Sequence, residues 1–476
     1  MKYTFLALLI TFIAGCSNSS KKQNETPEQQ YVMVDARTRV YHDDGTRTYK
    51  PYQPFKTRTV GNLAGYTHPK ELPELNKYGG NTNLQEEATG FFHVKKIGDR
   101  WWGIDPLGNR YVNIALNSIS DKGSQGTKQA LKDKYGTKEN WMKETIKLLH
   151  EHGFNCAGSW SDHEAIIEYN KSAERPFAYT INWNFMSSYG KKRGGTFQQP
   201  GHTGYPKDAI FVFDPEFKTF CDAHAKQLIK YKDDPNLFGH FSDNEMPFKF
   251  KAIDNYLSLP EDDHGRIAAE SWLKEQRITE EQITDEHREE FMALVADKYF
   301  SVVSGAIKKY DPNHMYIGAR FYSGEKHHKK FMQAAGKYLD IVSNNYYNQW
   351  TPVSSHMEKW ANWTGRPFII TEYYTKGEDS GMGNTSGAGW IVRTQKDRGL
   401  FYQNYNLALL ESKNCVGWHY FKYIDNDPNA KGVDPSNVDS NKGIVSNRYV
   451  PWTPMLEKMK ELNTQVYNIV AYFDKK

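Results

Sequence analysis

The chain has 476 residues, a formal net charge of +4, and 38% hydrophobic and 14% aromatic residues. This length supports one large domain or two ordinary ones, and the hydrophobic content is sufficient for a sizeable core. The charge is small for the length and no run rich in lysine and arginine stands out, so the composition gives no indication of a nucleic-acid partner.

The N-terminus has the pattern of a signal peptide. A positively charged start is followed by an apolar run, residues 5–13, which is too short to span a bilayer. The segment Ile13-Ala14-Gly15-Cys16 then resembles a bacterial lipobox. We therefore predict a lipoprotein signal peptide over residues 1–15, lipidation at Cys16, and a polar, disordered tether over residues 16–30. The lipid would anchor the protein to the outer membrane, facing the periplasm or the cell surface. The alternative is an ordinary secretory signal that contains a cysteine.

Three further cysteines, Cys156, Cys221 and Cys415, remain in the chain. Their number is odd and two of them lie in apolar runs, so we expect buried packing residues rather than a disulfide framework. Neither a CxxC nor an HExxH spacing is present. The sequence therefore predicts no metal site and no cofactor.

Residues 31–90 are turn-rich and give no clear pattern. From Gly90 onward, short apolar runs alternate with glycine, proline and asparagine turns, which predicts a β-meander. The meander leads into Tyr111–Leu116, which we interpret as the first strand of a barrel. Residues 31–110 are therefore predicted to be a β-rich extension packed on a catalytic barrel formed by residues 111–476.

Beyond the first strand, short apolar segments alternate with segments of helical periodicity. Seven further strands are predicted at Phe154–Trp160, Pro176–Trp183, Phe238–Glu245, Met315–Arg320, Leu339–Ser343, Pro367–Glu372 and Cys415–Phe421. Helices are predicted at Trp141–His152, Pro215–Tyr231, Glu286–Lys309, Trp390–Ser412 and Pro454–Ile469. A long loop, Met186–Pro206, and a charged insertion, residues 247–285, interrupt the alternation. Eight strands separated by helical segments predict the α/β class and a (β/α)8 TIM barrel.

Two of these strands end in a glutamate. The fourth ends in Asn244-Glu245, and the seventh ends in Glu372. Because the C-terminal ends of barrel strands surround one cavity, we expect the two carboxylates to face each other. Glycoside hydrolysis needs two carboxylates on either side of the scissile bond. The pair therefore predicts a glycosidase, and the alternative is that each glutamate is a structural ion-pair partner.

This pattern resembles the retaining barrel glycosidases in which Asn-Glu after strand four carries the acid/base and a glutamate after strand seven is the nucleophile. More narrowly, several segments resemble the β-agarases of glycoside hydrolase family 50. They are Gly90-Phe91-Phe92, Trp101–Pro106, Ser242–Glu245, Gly417–Phe421 and Asn441–Val445. The resemblance implies a retaining hydrolase of β-galactosidic bonds in an agarose- or porphyran-type galactan or its oligosaccharides. It also implies Glu245 as the acid/base and Glu372 as the nucleophile.

Further residues are predicted to bind the substrate. Asn244 would bond the sugar 2-hydroxyl, and Tyr346 or Tyr347 would donate to Glu372, unless these tyrosines only pack. Trp418 and His419 end strand eight, where an aromatic ring can stack on galactose, although a buried strand tryptophan often belongs to the core. Position just past a strand nominates four more: Asn117, Trp160, Asn184 and Arg320.

Two alternatives stay open. A retaining β-glycosidase for another polysaccharide, such as a β-galactoside, β-glucoside or β-mannan, would share the fold and the carboxylate pair. A catalytically inactive, surface glycan-binding lipoprotein would keep the aromatic platforms and lack turnover.

Overall fold

The computed structural model describes residues 28–42 and 47–476. The predicted signal peptide, the lipidation site Cys16 and most of the predicted tether lie outside these residues. Among the described residues, no helix combines the length and the apolar character that crossing a membrane requires.

The N-terminal part consists of antiparallel strands. In chain order they are β1 (Val32–Arg37), β2 (Arg39–Tyr41), β3 (Arg47–Tyr49), β4 (Gln53–Thr57), β5 (Asn81–Gln85), β6 (His93–Ile97), β7 (Arg100–Ile104) and β8 (Asn109–Tyr111). The predicted β-meander is confirmed in β6, β7 and β8. Its turns contain Gly98 (φ +62°) and Gly108 (φ +86°), a backbone conformation that glycine adopts without steric cost.

The remaining strands build the barrel and two small additions. They are β9 (Asn113–Leu116), β10 (Cys156–Ala157), β11 (Ala178–Asn182), β12 (Phe197–Gln199), β13 (His202–Gly204), β14 (Leu237–Phe241), β15 (Met315–Tyr316), β16 (Val342–Asn345), β17 (Phe368–Glu372), β18 (Thr375–Gly377), β19 (Trp390–Val392) and β20 (Cys415–Tyr420). Eight of them form a parallel sheet in the order β15-β14-β11-β10-β9-β20-β17-β16. The amide of Phe321 donates to the carbonyl of Ser343 at 2.9 Å, which joins the chain after β15 to β16 and closes the sheet. The predicted (β/α)8 barrel is confirmed.

Helices surround the barrel. They are α1 (Gln125–Tyr135), α2 (Lys138–Glu151), α3 (His163–Asn170), α4 (Phe185–Arg193), α5 (Pro215–Ala225), α6 (Ala252–Leu257), α7 (His264–Gln276), α8 (Asp285–Tyr310), α9 (Lys329–Gly336), α10 (Ser354–Thr364), α11 (Gln395–Glu411), α12 (Thr453–Asn463) and α13 (Val466–Asp474). In α2, Thr137 caps the N-terminus and Met142, Ile146 and Leu149 are buried, as the helical spacing of these apolar residues predicted.

Two predicted helices need correction. The predicted helix Trp390–Ser412 begins only at Gln395, because residues 390–392 form β19 and pair with β1, and Thr394 then caps the helix. The predicted helix Pro454–Ile469 is two helices, α12 and α13.

The predicted loop Met186–Pro206 is also wrong, because it contains the end of α4 and the hairpin β12–β13. Helix α4 is stabilised from a distant strand: Asp243 accepts the amides of Met186 at 2.8 Å and Ser187 at 3.1 Å. These amides are among the N-terminal donors that have no partner within a helix, and a negative charge beside them is favourable. This cap lies far away in the sequence, so local pattern does not reveal it.

Hydrophobic side chains close the N-terminal end of the barrel. Phe92 packs against Tyr111 and Phe238, with ring centroids 5.1 and 5.5 Å apart. Cys156 lies in the same buried cluster, and Cys221 and Cys415 are likewise buried and unpaired. Their predicted role as packing residues is confirmed.

Candidate active site

The chain turns in an unusual conformation where it leaves five consecutive barrel strands. Ser118, Trp160, Asn184, Glu245 and Arg320 all have left-handed backbone angles, with φ between 50° and 66°. Such residues cost of the order of 1–3 kcal/mol each and cluster at functional sites. All five lie past the C-terminal ends of the strands, which is the end of a barrel that carries the active site.

A cavity of about 640 Å³ opens at this end. Both glutamates, Glu245 and Glu372, line it, and Trp160, Asn184 and Tyr347 lie on its walls. Asn244 lines it as well. The structure therefore brings together the two predicted carboxylates and four of the predicted binding residues.

Glu372 is the last residue of β17 and is held by two donors. Arg320 donates from Nη2 to Oε1 at 2.5 Å, and the Tyr347 hydroxyl donates to Oε2. Both oxygens act as acceptors, which is the hydrogen-bonding pattern of an ionised carboxylate. The side chain is thus fixed in orientation, as an attacking carboxylate requires.

Glu245 lies in a different environment. Asn345 donates from Nδ2 to Oε1 at 2.8 Å, and Nδ1 of His202 lies 3.8 Å from Oε2. Burial first, and the negative charge of Glu372 second, raise the pKa of Glu245 to about 8. At neutral pH this carboxyl group holds a proton that it can donate.

Arg320 contacts residues at or just past the ends of two different strands of the site. Its side chain is fully buried, and besides Glu372 it donates to Oδ1 of Asn244 at 2.8 Å and to the carbonyl of Thr371 at 3.1 Å. The residue predicted to bind substrate is therefore placed to position Glu372 and Asn244 instead.

The end of β20 contributes less to the cavity than predicted. Trp418 is fully buried, and its Nε1 donates to the Tyr402 hydroxyl at 2.7 Å. His419 contacts Oδ1 of Asn113 through Nε2 at 2.8 Å, and burial lowers its pKa to about 3. Adjacent strand residues point to opposite faces, so one side chain packs toward the helices and the other lies inside the barrel. Neither lines the cavity.

Two other predicted residues also lie away from it. Asn117 donates from Nδ2 to the carbonyl of Thr371 at 2.7 Å, and the Tyr346 hydroxyl lies 2.8 Å from Nδ1 of His356. Both side chains are buried, and neither lines the cavity. Tyr347, the other member of the predicted tyrosine pair, is the one that reaches Glu372.

Several residues of the site were not predicted. Asn345 ends β16, directly before the predicted tyrosines, and strand position would have nominated it. Lys422 follows the end of β20 in the same way. His202 lies on a segment far from any strand end of the barrel, and no local pattern marks it. Lys442 lies in Asn441–Val445, one of the segments that carry the family resemblance, but that resemblance did not nominate the lysine for the site.

The described residues contain one set of potential metal ligands, the buried His240, Asp311 and His314. Their hydrogen-bonding groups already have protein partners. Oδ2 of Asp311 lies 2.7 Å from both imidazoles, Trp183 donates to Nδ1 of His240 at 3.0 Å, and Nε2 of His314 lies 2.8 Å from the carbonyl of Asp234. This is a closed polar network inside the fold, and it gives no indication of a cofactor site.

Comparison with known proteins identifies the family. No family model matches the sequence. The crystal structure of BpGH50 is similar over 95% of this chain and 98% of its own, with a TM-score of 0.82 and 31% sequence identity. The chain belongs to glycoside hydrolase family 50.

Other relatives agree with this membership. Among curated proteins of Vibrio sp. (strain JT0107), β-agarase A is 31% identical over 83% of this chain, and β-agarase B is 25% identical over 86%. This family 50 chain spans about half the length of these two proteins (48% and 52%). The agarase AgWH50C, at 23% identity and a TM-score of 0.68 over 84% of this chain and 67% of its own, shares the fold.

Proposed function

We propose that the chain is a retaining glycoside hydrolase that cleaves β-galactosidic bonds in an agarose- or porphyran-type galactan or its oligosaccharides. The main observation behind the proposal is that the two carboxyl groups lie in different environments. Glu245 is buried with its pKa raised to about 8, whereas Glu372 accepts hydrogen bonds from Arg320 and Tyr347 at both oxygens. Two carboxyl groups whose environments differ in this way are typical of an acid and a nucleophile. The similarity to β-agarases supports galactan as the substrate.

In the first step, a carboxylate oxygen of Glu372 attacks the anomeric carbon while Glu245 gives its proton to the departing glycosidic oxygen. The glycosidic bond breaks and a glycosyl ester of Glu372 forms. Asn244 accepts from Arg320 through Oδ1, donates from Nδ2 to the carbonyl of Gly201 at 3.1 Å and lines the cavity. We expect it to bond the sugar hydroxyl next to the anomeric carbon when substrate is bound.

In the second step, Glu245 is ionised and accepts a proton from water, whose oxygen attacks the anomeric carbon and releases Glu372. Loss of the negative charge on Glu372 in the ester removes one of the causes that raise the pKa of Glu245. The same side chain therefore carries a proton before the first step and is more readily ionised before the second, as its two roles require.

The test combines a substrate panel with product stereochemistry. Purified protein is incubated with agarose, porphyran, other β-galactans, β-glucans and β-mannans, and the anomeric configuration of the first product is followed by NMR. We expect release of β-configured product from a red-algal galactan. Inversion would contradict the assignment of Glu372 as nucleophile, and an absence of turnover on every polysaccharide would favour a glycan-binding protein.

We also propose that Cys16 carries a lipid that anchors the protein to the outer membrane. The lipobox-like segment Ile13-Ala14-Gly15-Cys16 supports this. The wild-type protein, expressed in a bacterial host, should incorporate labelled palmitate and sediment with membranes, and Cys16→Ser should lose both properties. A wild-type protein found unlabelled in the soluble fraction would contradict the proposal.

A further inference from the structure

Lysines line one side of the cavity. Lys422, at the end of β20, and Lys442, on a later loop, both lie on its wall, next to the aromatic residues Tyr374 and Phe421. Nζ of Lys442 lies 4.9 Å from the ring centroid of Tyr374, and Nζ of Lys422 lies 5.7 Å from that of Phe421. The mechanism described above uses neither lysine.

Neither lysine has an acidic partner. Lys442 donates to the carbonyl of Ser436 at 2.5 Å and to Oδ1 of Asn437 at 3.0 Å, and both acceptors are neutral. Within residues 28–42 and 47–476, the ammonium group of Lys422 forms neither a hydrogen bond nor an ion pair. The ammonium group of Lys422 therefore lies at the cavity wall without a carboxylate bound to it.

The acidic groups whose charges act on Lys422, which are Asp425, Asp434 and Glu372, all accept hydrogen bonds from other donors. Asp425 accepts from Nδ2 of Asn441 at 2.9 Å and from Nε1 of Trp452 at 2.9 Å. Asp434 accepts from Nε2 of Gln198 at 2.9 Å and from the amide of Gly201 at 3.0 Å. These contacts hold the loops around the cavity and leave the lysines unpaired.

The arrangement is electrostatically costly. Burial lowers the pKa of Lys422 to about 8, against the opposing charges of Asp425, Asp434 and Glu372. Burial and then the charges of Lys422 and Lys376 lower the pKa of Lys442 well below its usual value. Buried charges are normally paired, because an isolated one is expensive to desolvate. An anion bound between the lysines would relieve both the desolvation and the repulsion.

We propose that Lys422 and Lys442 form a subsite for an anionic substituent on the sugar chain, specifically a sulfate ester on a galactan residue beside the scissile bond. The rings of Tyr374 and Phe421 border the same wall, where a sugar that carries such a group would lie. A net charge of +4 over the whole chain is too small to distinguish neutral from sulfated galactans, whereas the local charge of the two lysines favours the sulfated ones. The inference deepens the proposed function and rests on it for the choice of galactan.

The test measures binding, not turnover. Galactan oligosaccharides of equal length that are neutral, sulfated or carboxylated are titrated into the folded Glu372→Gln protein by calorimetry at low salt. We expect the sulfated oligosaccharide to bind about tenfold more tightly than the neutral one, the gain that one or two charged hydrogen bonds give. Lys422→Met, in the same background, should lower that ratio to about one, and Lys422→Arg should retain most of it. Lys431→Met is the matched control, since Lys431 is an exposed lysine on the same loop, and should keep the ratio.

Several outcomes overturn the inference. They are equal or weaker binding of the sulfated oligosaccharide, a preference that survives Lys422→Met, and a stronger preference for the carboxylated one. The first of these needs no lysine variant, so misfolding of a variant leaves the inference testable. Because affinity is read in a protein that does not turn over, failure of the subsite and failure of the proposed hydrolysis remain distinguishable. Turnover of neutral galactan without any sulfate preference rejects only the subsite.

Discussion

The two ends of the barrel differ in the residues that form them: aromatic side chains at the N-terminal end, and polar and charged side chains at the C-terminal end. At the N-terminal end, Phe92, Tyr111 and Phe238 pack ring against ring around the strand starts. At the C-terminal end, the chain leaves the strands in left-handed turns, and Glu245 and Glu372 face an open cavity. The N-terminal end therefore contributes to stability and has no reactive groups. The C-terminal end holds the reactive groups, and their placement lowers stability.

The cost at the C-terminal end has identifiable sources. The left-handed residues after the strands are strained, and Glu245 is kept protonated in a buried position. Aromatic side chains at the N-terminal end each bury a large apolar area. The stability gained from this burial offsets the cost of the strain at the C-terminal end. Changes at the two ends should therefore separate activity from stability.

Loss of the nucleophile should have the largest effect. Glu372→Gln keeps the shape of the side chain and the Tyr347 contact but removes the attacking carboxylate. We expect turnover on galactan to fall at least about 10³-fold in protein that circular dichroism shows to be folded. The matched control is Glu358→Gln on the exposed face of α10, which should keep full activity. Substantial turnover by purified Glu372→Gln would reject the assignment.

The opposite end should respond in the opposite way. Phe92 is almost completely buried, and Phe92→Ala leaves a cavity among Tyr78, Tyr111 and Phe238. Denaturant unfolding should show a loss of about 3–5 kcal/mol, while the folded fraction keeps kcat and KM close to those of the wild type. A fall in kcat at unchanged stability would show that the two ends are coupled.

Prediction from sequence also differs between the two ends. Local periodicity reveals the alternation of strands and helices and the glutamates at the strand ends. These signals were sufficient to predict the barrel and the carboxylate pair. The fully buried Arg320 was predicted at the site because it follows a strand, but its contacts to Glu372 and Asn244 depend on a left-handed turn. The cap that Asp243 supplies to α4 joins distant segments. Such long-range contacts leave no periodic signal.

The lysines illustrate the same limit. Lys442 lies on a loop far from the barrel strands in sequence, and only folding brings it to the same cavity wall as Lys422. A lysine in a polar segment reads as a solvated side chain, so composition gives no warning that it is buried. Burial and proximity, which decide its chemistry, are properties of the tertiary structure.

The buried acid should make wild-type stability fall as the pH rises. Burial and Glu372 raise the pKa of Glu245 from 4.5 to about 8, so folding favours its protonated form. This contribution is complete below pH 4.5 and is lost as the pH rises toward 8. Glu245→Gln cannot lose a proton there. We expect melting curves to show its stability relative to wild type increasing by of the order of 3 kcal/mol between pH 5 and 8.

The same variant should lose most of its activity on unactivated substrates, because the leaving oxygen receives no proton. The comparison therefore links a gain in stability at high pH to a loss of catalytic activity, both caused by replacing the carboxyl group of Glu245. Parallel stability profiles for wild type and Glu245→Gln across this pH range would contradict the raised pKa. Glu358→Gln serves again as the control and should leave the pH profile unchanged.

The smallest expected effect isolates backbone strain at the cavity. Trp160 is 41% exposed and has φ +66°, so Trp160→Ala and Trp160→Gly remove the same ring, but only glycine relieves the left-handed turn. Chemical denaturation should find the glycine variant more stable than the alanine variant by about 0.5–1 kcal/mol. At Lys359, exposed on α10, the same pair should show the reverse order, because glycine weakens a helix by about 1 kcal/mol relative to alanine. If alanine is also the more stable residue at position 160, the strand-end turns are not strained, and the difference in stability between the two ends of the barrel must come from Glu245 and the buried charges alone.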